Sequence, residues 1–166
     1  NRIPDVKEVL LGEIDVDGST VMFPADRPWT PRPTGHEAWI GETGGVFFST
    51  GTDSPSSGNI WRAKIGDEKP VQVHTGPKRF GHVSVSKCGR YWIGDTSEEG
   101  VPVYIGSFAS GKCMRVLLSR TSSKDQVSHT HPYLTADNGW LIFTSDRNGH
   151  PQVYGAKLAP GWLEGL

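Results

Sequence analysis

GHEAWIGETGGVFFST, residues 35–50, recurs along the chain as GHVSVSKCGRYWIGDT at residues 81–96 and as THPYLTADNGWLIFTS at residues 130–145. The copies place histidines 46 and 49 residues apart, at His36, His82 and His131. A fixed period of about 40 to 50 residues is typical of β-propeller blades, each of which is a small antiparallel sheet. The repeat therefore predicts propeller blades rather than a β-sandwich, in which such a match of three copies would be accidental.

Each copy also predicts the same order of strands. A first strand begins at the histidine, a glycine-containing turn follows, and an apolar second strand comes next. The third strand carries an aromatic residue at an equivalent place in the three copies, at Trp61, Tyr104 and Tyr154. A fourth strand follows only in the first two copies, as PVQVH and MRVLL. We therefore expect an all-β protein with blades of four antiparallel strands, the last blade being shorter.

The repeat predicts one partial propeller domain over residues 1–166, with about three blades and part of another. The expected blades span residues 1–34 (partial), 35–80, 81–128 and 129–160. Asp17 and Gly18 form the expected turn of a hairpin in the partial blade. Because a closed ring takes roughly four to eight blades, we expect further blades before Asn1, or association of several copies, to complete the ring.

Composition excludes some classes of partner. The 166 residues carry a formal net charge of −1, which provides no broad basic surface for nucleic acid. No apolar stretch approaches the roughly 20 residues that cross a bilayer, so we expect no membrane partner. Cys88 and Cys113 lie in no CxxC motif, and we interpret both as ordinary buried thiols.

The histidines form the candidate site. First strands of successive blades line the central channel of a propeller, so His36, His82 and His131 should converge. The segment QVSHTHPY adds Gln126 and His129, and two residues apart on an extended strand His129 and His131 would share a face. Imidazoles with an amide oxygen suit a divalent metal such as Mn, Fe, Co, Ni or Zn. The alternative is that each ring simply bonds a neighbouring carbonyl. His74 and His150 are interpreted as surface residues.

The segment QVSHTHPYLTADNGWLIFTSDRNGHPQVY, residues 126–154, resembles the oligogalacturonate lyases, which are seven-bladed propellers. Its FTSDRNGHPQVY part resembles TolB-type repeats in general. The resemblance implies that this chain is the C-terminal part of such a propeller. It further implies a manganese site and a general base, with His82, Gln126, His129 and His131 as metal ligands and His36, in GHEAW, as the base. Arg79 is a candidate for substrate binding, with a solvated surface arginine as the alternative.

The same resemblance implies a metal-dependent lyase that cleaves short oligogalacturonides by β-elimination in the bacterial cytoplasm. The sequence leaves two other functions open. One is a non-catalytic TolB-like propeller that binds a protein partner at the mouth of its channel. The other is a metal-dependent hydrolase, or another carbohydrate enzyme, on the same scaffold.

Overall fold

The computed structural model describes residues 30–51, 57–64 and 66–166. These residues form eleven β-strands in three antiparallel sheets and two short 3₁₀ helices, Gln126–Ser128 and Leu163–Gly165. Within these ranges no helix has the length and apolar character that a bilayer crossing requires. The hairpin predicted around Asp17 and Gly18 lies outside the described residues. The predicted all-β class is confirmed.

The strands follow the predicted order in each sheet. The first sheet consists of β1 (Pro33–Trp39), β2 (Gly45–Thr50), β3 (Ile60–Lys64) and β4 (Val71–Gln72). The second consists of β5 (Phe80–Val85), β6 (Tyr91–Thr96), β7 (Pro102–Ser107) and β8 (Cys113–Leu118). The third consists of β9 (Tyr133–Leu134), β10 (Trp140–Ser145) and β11 (Gln152–Lys157). Sequential strands pair as neighbours in every sheet, which is the blade arrangement of a propeller.

The sheets meet through their first strands and through two apolar layers. Strand β1 contacts β5, and β5 contacts β9, so the first strands lie together on the inside. The layer between the first and second sheets is made by Ile40, Phe47, Ile60, Phe80, Trp92 and Tyr104. The layer between the second and third is made by Tyr91, Ile93, Val103, Ile105, Leu134, Leu141 and Phe143, with the C-terminal Leu163 and Leu166. Burial of these side chains holds the sheets face to face.

Three side chains differ from the sequence-based interpretation. Cys88 is exposed and Cys113 is half-buried, so neither is an ordinary buried thiol. Cys88 lies in the turn between β5 and β6, where alternation along a strand no longer predicts burial. His74 is half-buried because its ring packs edge-on against Phe80, with 5.6 Å between ring centroids. His150 is exposed, as expected.

Candidate metal centre

Two of the repeated histidines lie where the first strand departs from regular pairing. On β5, Phe80 pairs with Thr96 and Val83 with Gly94, so β5 has one more residue than β6 over this interval. A similar irregularity in β1 surrounds His36. A β-bulge changes the direction in which a side chain points. These irregularities therefore turn His36 and His82 away from regular strand positions.

The third blade supplies its histidines from a different local structure. His129 follows the 3₁₀ helix Gln126–Ser128, and His131 has a left-handed backbone with φ of 39°. The predicted extended strand at this segment is therefore wrong, because β9 begins only at Tyr133. Buried Thr130 anchors the segment through its carbonyl, which accepts a hydrogen bond from the Thr144 backbone N–H at 2.8 Å. Two residues further along, the carbonyl of Pro132 accepts a hydrogen bond from Ser84 Oγ at 2.6 Å.

Four imidazoles meet at this place. The ligand atoms of His82, His129 and His131 all lie within 4.8 Å of one another, and this set is defined as the histidine cluster. His82 Nε2 lies 3.1 Å from His129 Nδ1. The His36 ring lies beside the cluster, 4.8 Å from the His82 ring between centroids. Sequence-distant histidines are thus spatial neighbours, as the repeat predicts.

Gln126 and Arg79 lie at the edge of this arrangement. Gln126 is exposed, and its Nε2 is 3.4 Å from His131 Nε2, so its amide borders the cluster. Arg79 is half-buried and directly precedes β5, three residues before His82. Its role toward a substrate stays a prediction.

The electrostatics of the site favour the neutral form of two of the imidazoles, His36 and His131. Burial, followed by the proximity of His82, lowers the pKa of His36 below its ordinary value of 6.5. The same two causes, in the same order, lower the pKa of His131. Both rings therefore keep a lone pair at neutral pH, which metal binding and proton abstraction both require.

The sequence reasoning missed one acidic residue of the site. Asp95 is buried, its Oδ1 accepts a hydrogen bond from the His82 backbone N–H at 2.8 Å, and its Oδ2 lies 2.8 Å from the His82 ring Nδ1. The signal was available in the repeat, because Asp95 is the only carboxylate at a position that holds Ser49 and Thr144 in the other two copies. A strand position alone, however, does not show that the bulge in β5 brings His82 onto this carboxylate.

The donor set fits a divalent metal. The cluster offers three imidazole nitrogens, and one of its rings, that of His82, contacts a carboxylate on its far side, the usual arrangement for metal-binding histidines. His131 is exposed, which leaves the cluster open to solvent and to a ligand. The protein therefore belongs to the class of β-propellers. The innermost segments of its blades bring these imidazoles together at a candidate metal centre.

The chain is 31% identical to oligogalacturonide lyase of Pectobacterium atrosepticum over 142 residues, covering 74% of the chain and 36% of that protein. It is 35% identical to oligogalacturonate lyase of Dickeya dadantii over 81 residues, covering 46% of the chain and 20% of that protein. The chain is thus a relative of the oligogalacturonate lyases, and the resemblance indicated by the sequence is confirmed. It spans about a third or less of the length of these curated relatives.

Solved structures show the same relationship. An oligogalacturonate lyase in complex with manganese matches with a TM-score of 0.70 and 26% identity, over 87% of this chain and 39% of that one. TolB from Acinetobacter baumannii matches with a TM-score of 0.62 and 21% identity, over 76% of this chain and 30% of that one, which shows the fold alone. No family model matches the chain.

Proposed function

We propose that this chain provides the metal centre and the catalytic base of a lyase that cleaves short oligogalacturonides by β-elimination. The observation that carries the proposal is the histidine cluster, in which imidazoles from two blades lie within 4.8 Å of one another, with His36 of a third blade beside them. The similarity to lyases, one of them solved with manganese, supports the same reaction.

His82, His129 and His131 would hold the cation, and the amide of Gln126 would complete the set. Manganese is the metal in the complex of the solved oligogalacturonate lyase, and nitrogen donors with an amide oxygen are compatible with it. When bound, the cation supplies a Lewis acid that neutralises the uronate carboxylate, a contribution of several kcal/mol to a reaction that builds negative charge beside that group.

His36 is the residue that we assign as general base. Its lowered pKa, caused first by burial and then by His82, keeps the ring neutral at pH 7. Its Nδ1 is buried and has no hydrogen-bond partner among the described residues, which leaves Nε2 to meet the substrate. In the elimination, the C5–H bond breaks and its proton passes to His36, the C4–O bond breaks, and the leaving 4-oxygen takes up a proton. The product is an unsaturated uronide, formed without consumption of water.

The remaining proposals concern substrate binding by Arg79, the completion of the ring, the blade boundaries and the location of the reaction. Arg79 would pair with a carboxylate of the uronide chain, because a guanidinium matches carboxylate geometry. The ring would be completed by further blades, as in a seven-bladed propeller whose C-terminal part this chain would be, or by other copies of the chain. The blade boundaries expected from the sequence are likewise a proposal. On the family resemblance, the proposed location of the reaction is the bacterial cytoplasm.

The direct test is incubation of the protein with digalacturonate and Mn²⁺ while the ultraviolet absorbance of the conjugated product is followed. We expect a rise that a chelator abolishes and added Mn²⁺ restores. His36→Ala should lower the rate at least a hundredfold while Mn²⁺ binding is retained. His150→Ala is the matched control, because His150 is exposed and bonded only to Gln152 in the described contacts.

Other outcomes identify the alternatives. A protein that binds no Mn²⁺ and forms no product is a non-catalytic propeller. A protein that cleaves the substrate and yields reducing ends without the absorbance rise is a hydrolase. Either result contradicts the lyase proposal.

A further inference from the structure

Asp95 uses both of its carboxylate oxygens on a single histidine. Oδ2 lies 2.8 Å from His82 Nδ1, and Oδ1 accepts the His82 backbone N–H at 2.8 Å. The Asp95 side chain is only 5% exposed, and that of His82 is 16% exposed. A carboxylate whose two oxygens contact the ring and the backbone N–H of one residue fixes the position and the rotation of that ring.

The surroundings of Asp95 are adapted to this contact. A side chain at Gly81 would place its Cβ 3.1 Å from Asp95 Oδ1, which is tighter than ordinary van der Waals contact, so glycine leaves room for the carboxylate. The extra residue of β5 lies directly opposite Asp95. At the equivalent position of the first blade, Ser49 instead contacts Thr34 Oγ1 and the Gly81 carbonyl. Among the three repeats, the carboxylate thus belongs to the second blade alone.

We propose that Asp95 is a positioning residue that holds His82 in one tautomer, with the proton on Nδ1 and the lone pair of Nε2 directed into the histidine cluster. An ionised carboxylate can only accept hydrogen bonds, so the ring nitrogen that faces it must carry the hydrogen. Nε2 is then the bare nitrogen, and it is the one that lies 3.1 Å from His129 Nδ1. This inference rests on the metal centre in the proposed function, and it adds a residue that binds neither metal nor substrate.

Asp95→Asn separates this role from a packing role. The variant keeps the shape but offers one acceptor oxygen to two donors, and its NH₂ group can face Nδ1 and reverse the tautomer. We expect Mn²⁺ affinity, measured by titration calorimetry, to fall 10- to 100-fold. Asp137→Asn is the matched control, because Asp137 is an exposed carboxylate that bonds Thr135 and Gly139 in a turn away from the cluster.

A second measurement is independent of metal and of activity. Nitrogen-15 NMR of imidazoles distinguishes the two tautomers in the metal-free protein at about pH 8, where histidines are neutral. We expect wild-type His82, assigned by comparison with His82→Gln, to carry its hydrogen on Nδ1, and Asp95→Asn to move that hydrogen to Nε2. Asp137→Asn should leave the tautomer unchanged.

The outcomes are distinguishable from those of the proposed function. A wild-type His82 with its hydrogen on Nε2 overturns the role of Asp95, even if Asp95→Asn fails to fold. Equal Mn²⁺ affinities in Asp95→Asn and Asp137→Asn also overturn it. Absence of Mn²⁺ binding in the wild type would instead reject the metal centre, while the tautomer experiment would still report on Asp95.

Discussion

The two cysteines show how strongly the local environment changes the pKa of a thiol. Burial alone would raise the pKa of the Cys88 thiol, but hydrogen bonds from Ser86, Arg90 and Asn138 lower it to about 7. Burial raises the pKa of Cys113 to about 11. Because the thiolate is the reactive form, the two residues should differ in reactivity despite their identical chemistry.

We expect Cys88 to be alkylated by iodoacetamide at least tenfold faster than Cys113 at about pH 7. A thiol with a pKa of about 7 is roughly half ionised there, whereas one with a pKa of about 11 is ionised to about one part in ten thousand. Peptide mass spectrometry at increasing times measures both rates. Cys88→Ser should remove the fast reaction, and equal rates in the wild type would contradict the assigned environments.

His74 should make stability depend on pH. Burial, followed by the charge of Lys78, lowers the pKa of His74 in the folded protein below 6.5. The unfolded chain therefore binds its proton first as the pH falls, so the stabilisation is fully present above about pH 6.5 and decreases below it. We expect the free energy of unfolding in urea to drop between about pH 7.5 and pH 5.5, and to drop less in His74→Gln. An identical drop in both proteins would show that His74 does not contribute.

At the scale of single residues, the sequence predicted which side chains lie close together better than it predicted their burial and their hydrogen bonds. The histidines of the cluster were identified because a repeat brings equivalent positions together. The exposure of Cys88 and the partial burial of His74 were not predicted, because both residues lie outside regular strands, where alternation no longer indicates which side faces the core. The contact of Asp95 with His82 depends on a bulge that has no recognisable sequence signature here.

Strand order, turns and the shorter last blade could be read from the sequence, since they follow from apolar runs separated by turn residues. The starts of the first strands could not. In the first two blades they contain extra residues, and in the third the backbone turns left-handed at His131 before β9 begins. These departures from regular structure lie where the histidines gather, and backbone irregularities are common at functional sites.

A glycine inside β7 illustrates how closely the strands are packed. Gly106 lies against the indole of Trp92, which is 1% exposed, and a methyl group at Gly106 would overlap that ring. We expect Gly106→Ala to lower the free energy of unfolding by about 1–3 kcal/mol, measured by urea denaturation.

Gly165→Ala is the control for this substitution. Among the residues that the structure describes, a Cβ at Gly165 meets no atom within 4 Å, so the effect of this substitution should stay within about 0.5 kcal/mol. Similar losses in the two variants would show that contact with Trp92 is not the cause.

At the scale of the molecule, the site joins separate sheets. His82 belongs to the second sheet, His129 and His131 precede the third, and His36 comes from the first. A cation held by the histidine cluster would therefore add a connection between two blades that also meet through apolar packing and through the hydrogen bond from Ser84 to Pro132. The repeat predicted that these histidines converge. The number of repeats in this chain does not determine how many blades the complete ring contains.

Mn²⁺ should therefore stabilise the fold. A ligand that binds only the folded state at a hundred times its Kd contributes about 2.7 kcal/mol, so we expect a rise in Tm in differential scanning calorimetry that a chelator reverses. His129→Ala should lose this rise, while His150→Ala should keep it. A rise of equal size in His129→Ala would place the bound ion elsewhere.

Because the histidine cluster is divided between two blades, its division also affects which rearrangements of the gene can carry the complete cluster. His82 and His131 are 49 residues apart, and Asp95, Gln126 and His129 all lie between them. A circularly permuted gene opened between β4 and β5 would carry this block intact, whereas one opened after β8 would split it. Duplication of a single blade could copy the scaffold but not the cluster, so two adjacent blades are the smallest unit that can pass it on.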